Sequence, residues 1–253
     1  IIATKVSQNH LAPDEIVRAC ERSLKFLQTD YIDLYQIHWP SRTVPLEESW
    51  AALEKLREQG KVRALGVCNF GVGDLSDLLA VGRPQANQLP YSLLWRAIEY
   101  QVQPLCVEQN IGILCYMPLM QGLLVGKFSN ADEVPAGRAR TRHFSKDRPG
   151  TRHGEPGAER ETFATIAAIR HISERIGLPM SDLSLAWVLQ RQAVTSVLAG
   201  ARNPQQLLQN IQAVNIELEP DVIAELDRAT QALKEKLGTN PDMYQAANDS
   251  RFR

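Results

Sequence analysis

The sequence predicts an α/β protein of the (β/α)8 barrel class. Short apolar runs alternate with amphipathic helical stretches along the chain. The runs end at regular steps: Lys5 to His38 is 33 residues and His38 to Asn69 is 31. A barrel of about 250 residues spends roughly 31 on each βα unit. The run ends fall at Lys5, His38, Asn69, Gln88, Tyr116 and Gly200, and β/α folds gather ligands at such carboxyl edges. Six units at this pitch correspond to strands 3 to 8 of a barrel, the first two lying upstream of Ile1. A doubly wound sheet is the alternative. Its glycine fingerprint is missing, because Gly71-Val72-Gly73 lacks the third glycine.

Each element has its own signal. Ile1–Val6 reads as a strand carrying Lys5 near its end. Pro13-Asp14-Glu15 open a helix with acids in its first turn, and Ile16, Ala19, Cys20, Leu24 and Leu27 keep helical spacing. Tyr31–Pro40 reads YIDLYQIHWP. Its apolar content makes Asp33–His38 a buried strand, and Pro40 stops the ladder. Leu46–Gly60 is a helix with Trp50, Leu53 and Leu56 on one face and a glycine cap. Ala64–Cys68 is the next strand, followed by a short helix over Asp74–Val81 and a brief strand over Pro84–Gln88. Ala97–Asn110 reads as helix despite Pro104, and Gly112–Tyr116 as a strand broken at Met117-Pro118.

Ser129–Gly157 is rich in Gly, Pro, Arg and Asp and has no apolar period. It is too long for an ordinary connection, so a functional lid or a disordered segment is expected. Helices follow at Ala158–Ile176 and Ser181–Gln192, then a last strand at Val194–Gly200. Asn203-Pro204 starts a helix with a cap and an N1 proline. Pro220–Leu237 closes the helices, and the tail from Gly238 reads as loosely held.

Composition narrows the class. The chain has 253 residues, 44% apolar and 23% charged, with a formal net charge of -1. That balance argues against nucleic acid and a membrane surface as partners, and no apolar run reaches the roughly 20 residues of a membrane span. Four cysteines show no C-x-x-C spacing. No metal cluster or disulfide framework is expected; reduced thiols of a cytoplasmic protein are. The expected organisation is one barrel domain over 1–253 that begins inside a strand-like run, with residues missing upstream. An oligomer is possible but not indicated.

At the run ends the sequence resembles the aldo-keto reductase family. The resemblance rests on ATKV, SLKFLQTDYIDLYQIHWP, GKVRALGVCNF, NQLPYSLLWR, YMPLMQGLLVGKF and GARNPQQLLQN. It is nearest to the branch of bacterial reductases and potassium-channel β-subunits. It implies a (β/α)8 barrel that binds NADP(H) without a Rossmann motif and reduces small aldehydes or ketones by hydride transfer, through an Asp, Tyr, Lys and His tetrad. Lys5 and His38 match two tetrad members, with Trp39 as a pocket wall. The family's aspartate and tyrosine stand upstream of the lysine and are not in this sequence.

The cofactor positions follow from the same resemblance. Asn69 and Gln88 match the pair that holds the nicotinamide carboxamide. Tyr116 matches the aromatic residue stacked on the ring. Pro118, Leu119, Gln121, Gly122, Leu124 and Lys127 match the loop around the pyrophosphate, and Arg140 a loop arginine reaching the cofactor. Gly200, Ala201 and Arg202 lead into a helix N-terminus suited to phosphate, where Arg202 would clamp the 2′-phosphate. Gln206 and Asn210 match adenine contacts. Cys68 replaces the usual serine and Met117 another. The rival reading is a cofactor-binding regulatory module like the channel β-subunits, which would need an exposed apolar patch, hidden at Trp50 or Trp187 if anywhere.

Overall fold

The computed structural model describes residues 1–253. Six strands alternate with eight α-helices, and the strands hydrogen-bond in chain order, as the (β/α)8 class requires. The chain divides into two compact units. The first is Ile1–Leu89 with Leu105–Ile113 and Phe252–Arg253; the second is Pro90–Pro104 with Leu114–Arg251. No helix is long and apolar enough to cross a membrane.

The first unit holds β1 (Ala3–Val6), α1 (Pro13–Leu27), β2 (Ile32–Ile37), α2 (Leu46–Glu58), β3 (Val62–Cys68), α3 (Val72–Leu79) and most of β4 (Ala86–Pro90). All three strand pairings are parallel, with Lys5 opposite Gln36, Gln36 opposite Gly66, and Cys68 opposite Gln88. Ile16, Cys20, Ile32, Tyr35, Leu53, Leu56 and Leu65 are fully buried, so the helical period of α1 and α2 faces the strands as expected.

The remaining elements are α4 (Val102–Glu108), β5 (Gly112–Tyr116), α5 (Glu159–Ile176), α6 (Met180–Leu189), β6 (Val194–Leu198), α7 (Pro204–Gln212) and α8 (Pro220–Leu237). The helix expected over Ala97–Asn110 is two pieces. A 3-10 turn at Ala97–Tyr100 breaks at Gln101 (φ -145°, ψ -45°) before α4 begins. Pro104 therefore sits in the first turn of α4, where an N–H has no helical acceptor to lose.

Ser129–Gly157 is ordered, which corrects the disordered alternative. Short 3-10 turns occupy Ala131–Glu133 and Ala136–Arg138. Ala139, Thr141, Arg142, His143, Phe144 and His153 are buried. Polar side chains do the anchoring, which an apolar-period reading misses. Arg142 donates to the Leu237 carbonyl at 2.8 Å, the Asn240 carbonyl at 3.2 Å and Glu155 at 2.9 Å. Gly157 is held at φ +79°, and a Cβ there would lie 2.2 Å from the Phe144 carbonyl oxygen.

The tail beyond Gly238 is likewise pinned rather than loose. Asp242, 1% exposed, accepts from Arg251 Nε at 2.7 Å and Nη2 at 2.8 Å and from the Tyr244 N–H at 3.0 Å. In the first unit, Arg253 and Arg42 both pair with buried Asp74. The Asp74 N–H donates to the Arg253 carbonyl at 3.1 Å. Backbone contact this close explains Gly71 without any nucleotide: a Cβ there would stand 2.4 Å from that carbonyl oxygen.

Buried His143 makes the loop acid-sensitive. Its Nε2 donates to the Leu94 carbonyl at 2.8 Å, so Nδ1 accepts from the Thr141 hydroxyl at 3.0 Å. Burial foremost, with Arg142 and His153 adding to it, pushes its pKa from 6.5 down to about 4. The neutral ring contributes its full stability above pH 6.5, and the contribution is lost as pH falls through about 4. Thermal melts between those pH values should show a loss on the order of 3 kcal/mol from this group. His143→Gln should flatten that part of the profile.

Candidate active site

The first unit places Lys5, His38, Asn69 and Gln88 at or near the carboxyl ends of β1 to β4. Parallel pairing continues one residue past β2 and β3 and ties the four ends in two pairs. The His38 N–H donates to the Val6 carbonyl at 2.9 Å, and the Asn69 N–H to the Gln88 carbonyl at 3.0 Å. Asn69 turns the chain at φ +63°, a left-handed conformation that asparagine tolerates better than most residues. Its Nδ2 donates to the His38 carbonyl at 3.0 Å and to Cys68 Sγ at 3.1 Å.

Gln88 Oε1 accepts from Gln36 Nε2 at 3.2 Å. In this arrangement Gln36 donates and Gln88 accepts. Asn69 directs its nitrogen back at the strand ends, and Gln88 directs its oxygen at Gln36.

Charge in this row is sparse. His38 is more than a third exposed, yet desolvation on its protein side, and then the Lys5 ammonium, hold its pKa below the usual 6.5. Burial pushes the Cys68 thiol up to about 12, against a smaller opposite pull from Lys5. Trp39 is half-buried and meets Phe252 edge-on, ring centroids 5.2 Å apart. The hydroxyl of Tyr35 is buried and its pKa raised by burial.

The second unit carries a cavity of about 860 Å³. Ten of the residues singled out in the sequence line it: Pro118, Leu119, Gln121, Gly122 and Lys127 after β5, and Gly200, Ala201, Arg202, Gln206 and Asn210 around the start of α7. Arg138, Met180, Ser181 and Gln209 also line it. Its lining holds three cations, Lys127, Arg138 and Arg202, and no carboxylate.

Local geometry explains this lining. Gln121 (φ +54°) and Gly122 (φ +94°) kink the turn after β5. A Cβ on Gly122 would stand 3.5 Å from Arg138 Nη1 and 3.7 Å from Lys127 Cε, so the glycine borders both cations. Asn203 caps α7 by accepting from the Gln206 N–H at 2.9 Å, and Pro204 takes the first helical position. Gln206 Oε1 accepts from the Arg202 N–H at 3.0 Å, and Asn210 Nδ2 donates to the Gly200 carbonyl at 3.4 Å. The two amides therefore brace the Gly200–Arg202 loop.

Three of the cofactor residues expected in the second unit do not line the cavity. Leu124 is fully buried in the core. Arg140 is exposed and outside the lining; the 3-10 turn at Ala136–Arg138 delivers Arg138 instead, and buried Ala139 separates the two. Tyr116 is half-buried at the end of β5, where its carbonyl accepts from the Tyr91 N–H at 3.2 Å. Trp50 and Trp187 are 2% and 0% exposed and hide no patch. Exposed apolar side chains lie instead on and just beyond α7, at Leu207, Leu208, Ile211 and Val214.

Sequence reasoning missed Gln36, Arg138 and Phe252. A glutamine inside an apolar strand was a usable signal for the first; the other two depend on tertiary packing.

Similarity to known proteins identifies the family. The model of the Aldo/keto reductase family matches residues 1–231, and the chain belongs to that family. Aldo-keto reductase YhdN of Bacillus subtilis is 33% identical over 220 residues, which cover 82% of this chain and 63% of that protein. The NADH-specific methylglyoxal reductase of Escherichia coli is 33% identical, over 83% of this chain and 62% of that one. The chain thus spans less than two thirds of these relatives' length. An aldo-keto reductase from Klebsiella pneumoniae, solved in complex with NADPH, superposes with a TM-score of 0.69 at 29% identity, covering 89% of this chain and 68% of that one.

The electrostatics of the row are open to direct measurement. In an NMR titration the His38 ring should show its midpoint below 6.5. Lys5→Met should raise that midpoint only in part, because desolvation is the larger cause. A midpoint unmoved by Lys5→Met would show that the ammonium does not act on this ring.

Proposed function

We propose that this chain serves NADP(H)-dependent reduction of small aldehydes or ketones. The observation that carries the reading is the cavity with three cations and no carboxylate, which suits a ligand rich in phosphate. The two amides of the first unit add the second support. A carboxamide needs one acceptor and one donor, and the hydrogen bonds of Asn69 and Gln88 leave one of each facing outward. The NADPH complex of the Klebsiella pneumoniae relative supports the same assignment. The cofactor would supply a hydride when bound.

The chain's own residues then have separate tasks. Asn69 and Gln88 would hold the carboxamide. Arg138, Lys127 and the capped start of α7 would hold phosphate. Arg202 would read a 2′-phosphate, a question that matters because one relative is NADH-specific. His38, kept neutral by its setting, would hydrogen-bond a substrate carbonyl. Lys5 would supply positive potential where negative charge develops on the carbonyl oxygen, with Trp39 beside it as a wall.

Two measurements test this reading. Arg202→Ala should weaken NADPH by about 1.5–3 kcal/mol in a fluorescence titration and leave NADH nearly unchanged; equal losses would remove Arg202 from 2′-phosphate recognition. Turnover is followed by NADPH absorbance with methylglyoxal and with an aromatic aldehyde. Lys5→Met and His38→Ala should each lower any kcat by about 10²–10⁴. NADPH binding without turnover on either aldehyde would favour the regulatory-module reading, in which the exposed α7 leucines face a partner.

A further inference from the structure

Gln36 is fully buried in the middle of a strand, and the candidate machinery described so far does not use it. Its Nε2 donates to Gln88 Oε1, while its own Oε1 is buried with no hydrogen-bond partner. A buried orphan acceptor is costly. A side chain kept there for packing alone would be aliphatic, as Leu34 is on the same face two residues back, where its Cδ1 would also border a Cβ on Gly66. The cost points to a task for the amide.

The bridge is a built one. Gln36 lies on β2 and Gln88 on β4, two strands apart, or about 9.5 Å across the sheet. Only two long side chains meeting midway can close that span. Between them β3 carries Gly66, the register partner of both Gln36 and Ala86. A Cβ on Gly66 would stand 3.1 Å from Gln36 Cγ and 3.1 Å from the Ala86 carbonyl oxygen. The glycine keeps open the lane through which one glutamine reaches the other.

We infer that Gln36 is a positioning residue: by donating across Gly66 it fixes the amide of Gln88 with Oε1 inward, so that Nε2 is presented as a donor to a carboxamide carbonyl. This rests on the assignment of Asn69 and Gln88 to the carboxamide. Without Gln36 the Gln88 amide would turn over freely, and half of its orientations would set an acceptor against the carbonyl.

The test is a double-mutant cycle on the full chain, read by fluorescence titration with NADPH and with its 3-acetylpyridine analogue, which keeps the carbonyl and lacks the amide nitrogen. Gln88→Ala should weaken both cofactors about tenfold. Gln36→Met should weaken both about twofold, and adding it to Gln88→Ala should change nothing further, because its effect runs through Gln88. Gly66→Ala should behave like Gln36→Met.

Thermal melts accompany each variant. If Gln36→Met does not fold, Gln36→Glu takes its place; it keeps the length and replaces the donor with acceptors, so its loss should be larger. Additive losses, or a folded Gln36 variant that binds like the parent while Gln88→Ala is weakened, would overturn the positioning role. No effect from Gln88→Ala would overturn the carboxamide assignment, and this inference with it.

Discussion

The parallel register of β1 to β4 is the constraint on which the first unit's chemistry depends. Two backbone hydrogen bonds, His38 N–H to Val6 and Asn69 N–H to Gln88, carry the pairing past the strand ends. They fix where four different side chains leave the sheet. Register in a pleated sheet has a period of two, so a slip of one residue would turn each side chain to the opposite face. The packed faces guard against this: Tyr35, Ile37, Leu65 and Val67 are fully buried on one face, and a slip would turn the Gln36 amide into their place. The hydrophobic pattern that folds the unit is thus also what aligns its polar edge.

The two units carry opposite electrostatic characters. Along the row in the first unit the groups at neutral pH are two amides, a thiol held neutral by burial and an imidazole held neutral by desolvation, with Lys5 the one cation. Such a row suits a polar, uncharged group held through hydrogen-bond direction. The cavity of the second unit is lined by three cations and no carboxylate. It suits a charged group, for which direction matters less. Errors in the two have different costs. A reversed amide in the row replaces an attraction with a repulsion between oxygens, whereas a displaced cation in the cavity only weakens a field.

The difference also decides how much was legible in the sequence. Strands and helices could be read because burial imposes a period, and the site residues at strand ends could be read because a strand end is a fixed address. His38 and Asn69 needed no side-chain reasoning to place. The loops were harder. Gly200–Asn210 was found because a cap and an N1 proline mark a helix start. Arg138 was not, because the turn that aims it has no sequence period, and Arg140 stood nearby with the same chemistry. Leu124 sits in the same turn as Gln121 and Gly122, but past the kink Leu123 and Leu124 are buried while Val125 and Lys127 return to the cavity. The anchored tail was illegible because its order comes from a buried carboxylate, Asp242, paired with an arginine nine residues on.

Arg142 shows why such polar anchoring belongs to function as well as folding. A segment without apolar periodicity cannot hold a shape by burial alone, since it has too little apolar surface to offset the entropy of ordering. Arg142 compensates with donors in a fixed fork, reaching two backbone carbonyls and Glu155 from a nearly buried position. A carbonyl left unpaired at the end of α8 would be costly, so the Leu237 contact satisfies the helix and the loop together. Four residues upstream, Arg138 hangs from this anchor and reaches the cavity. A lysine in place of Arg142 would lack the planar fork that spans Glu155, Asn240 and Leu237 together, and the segment would lose part of its anchor.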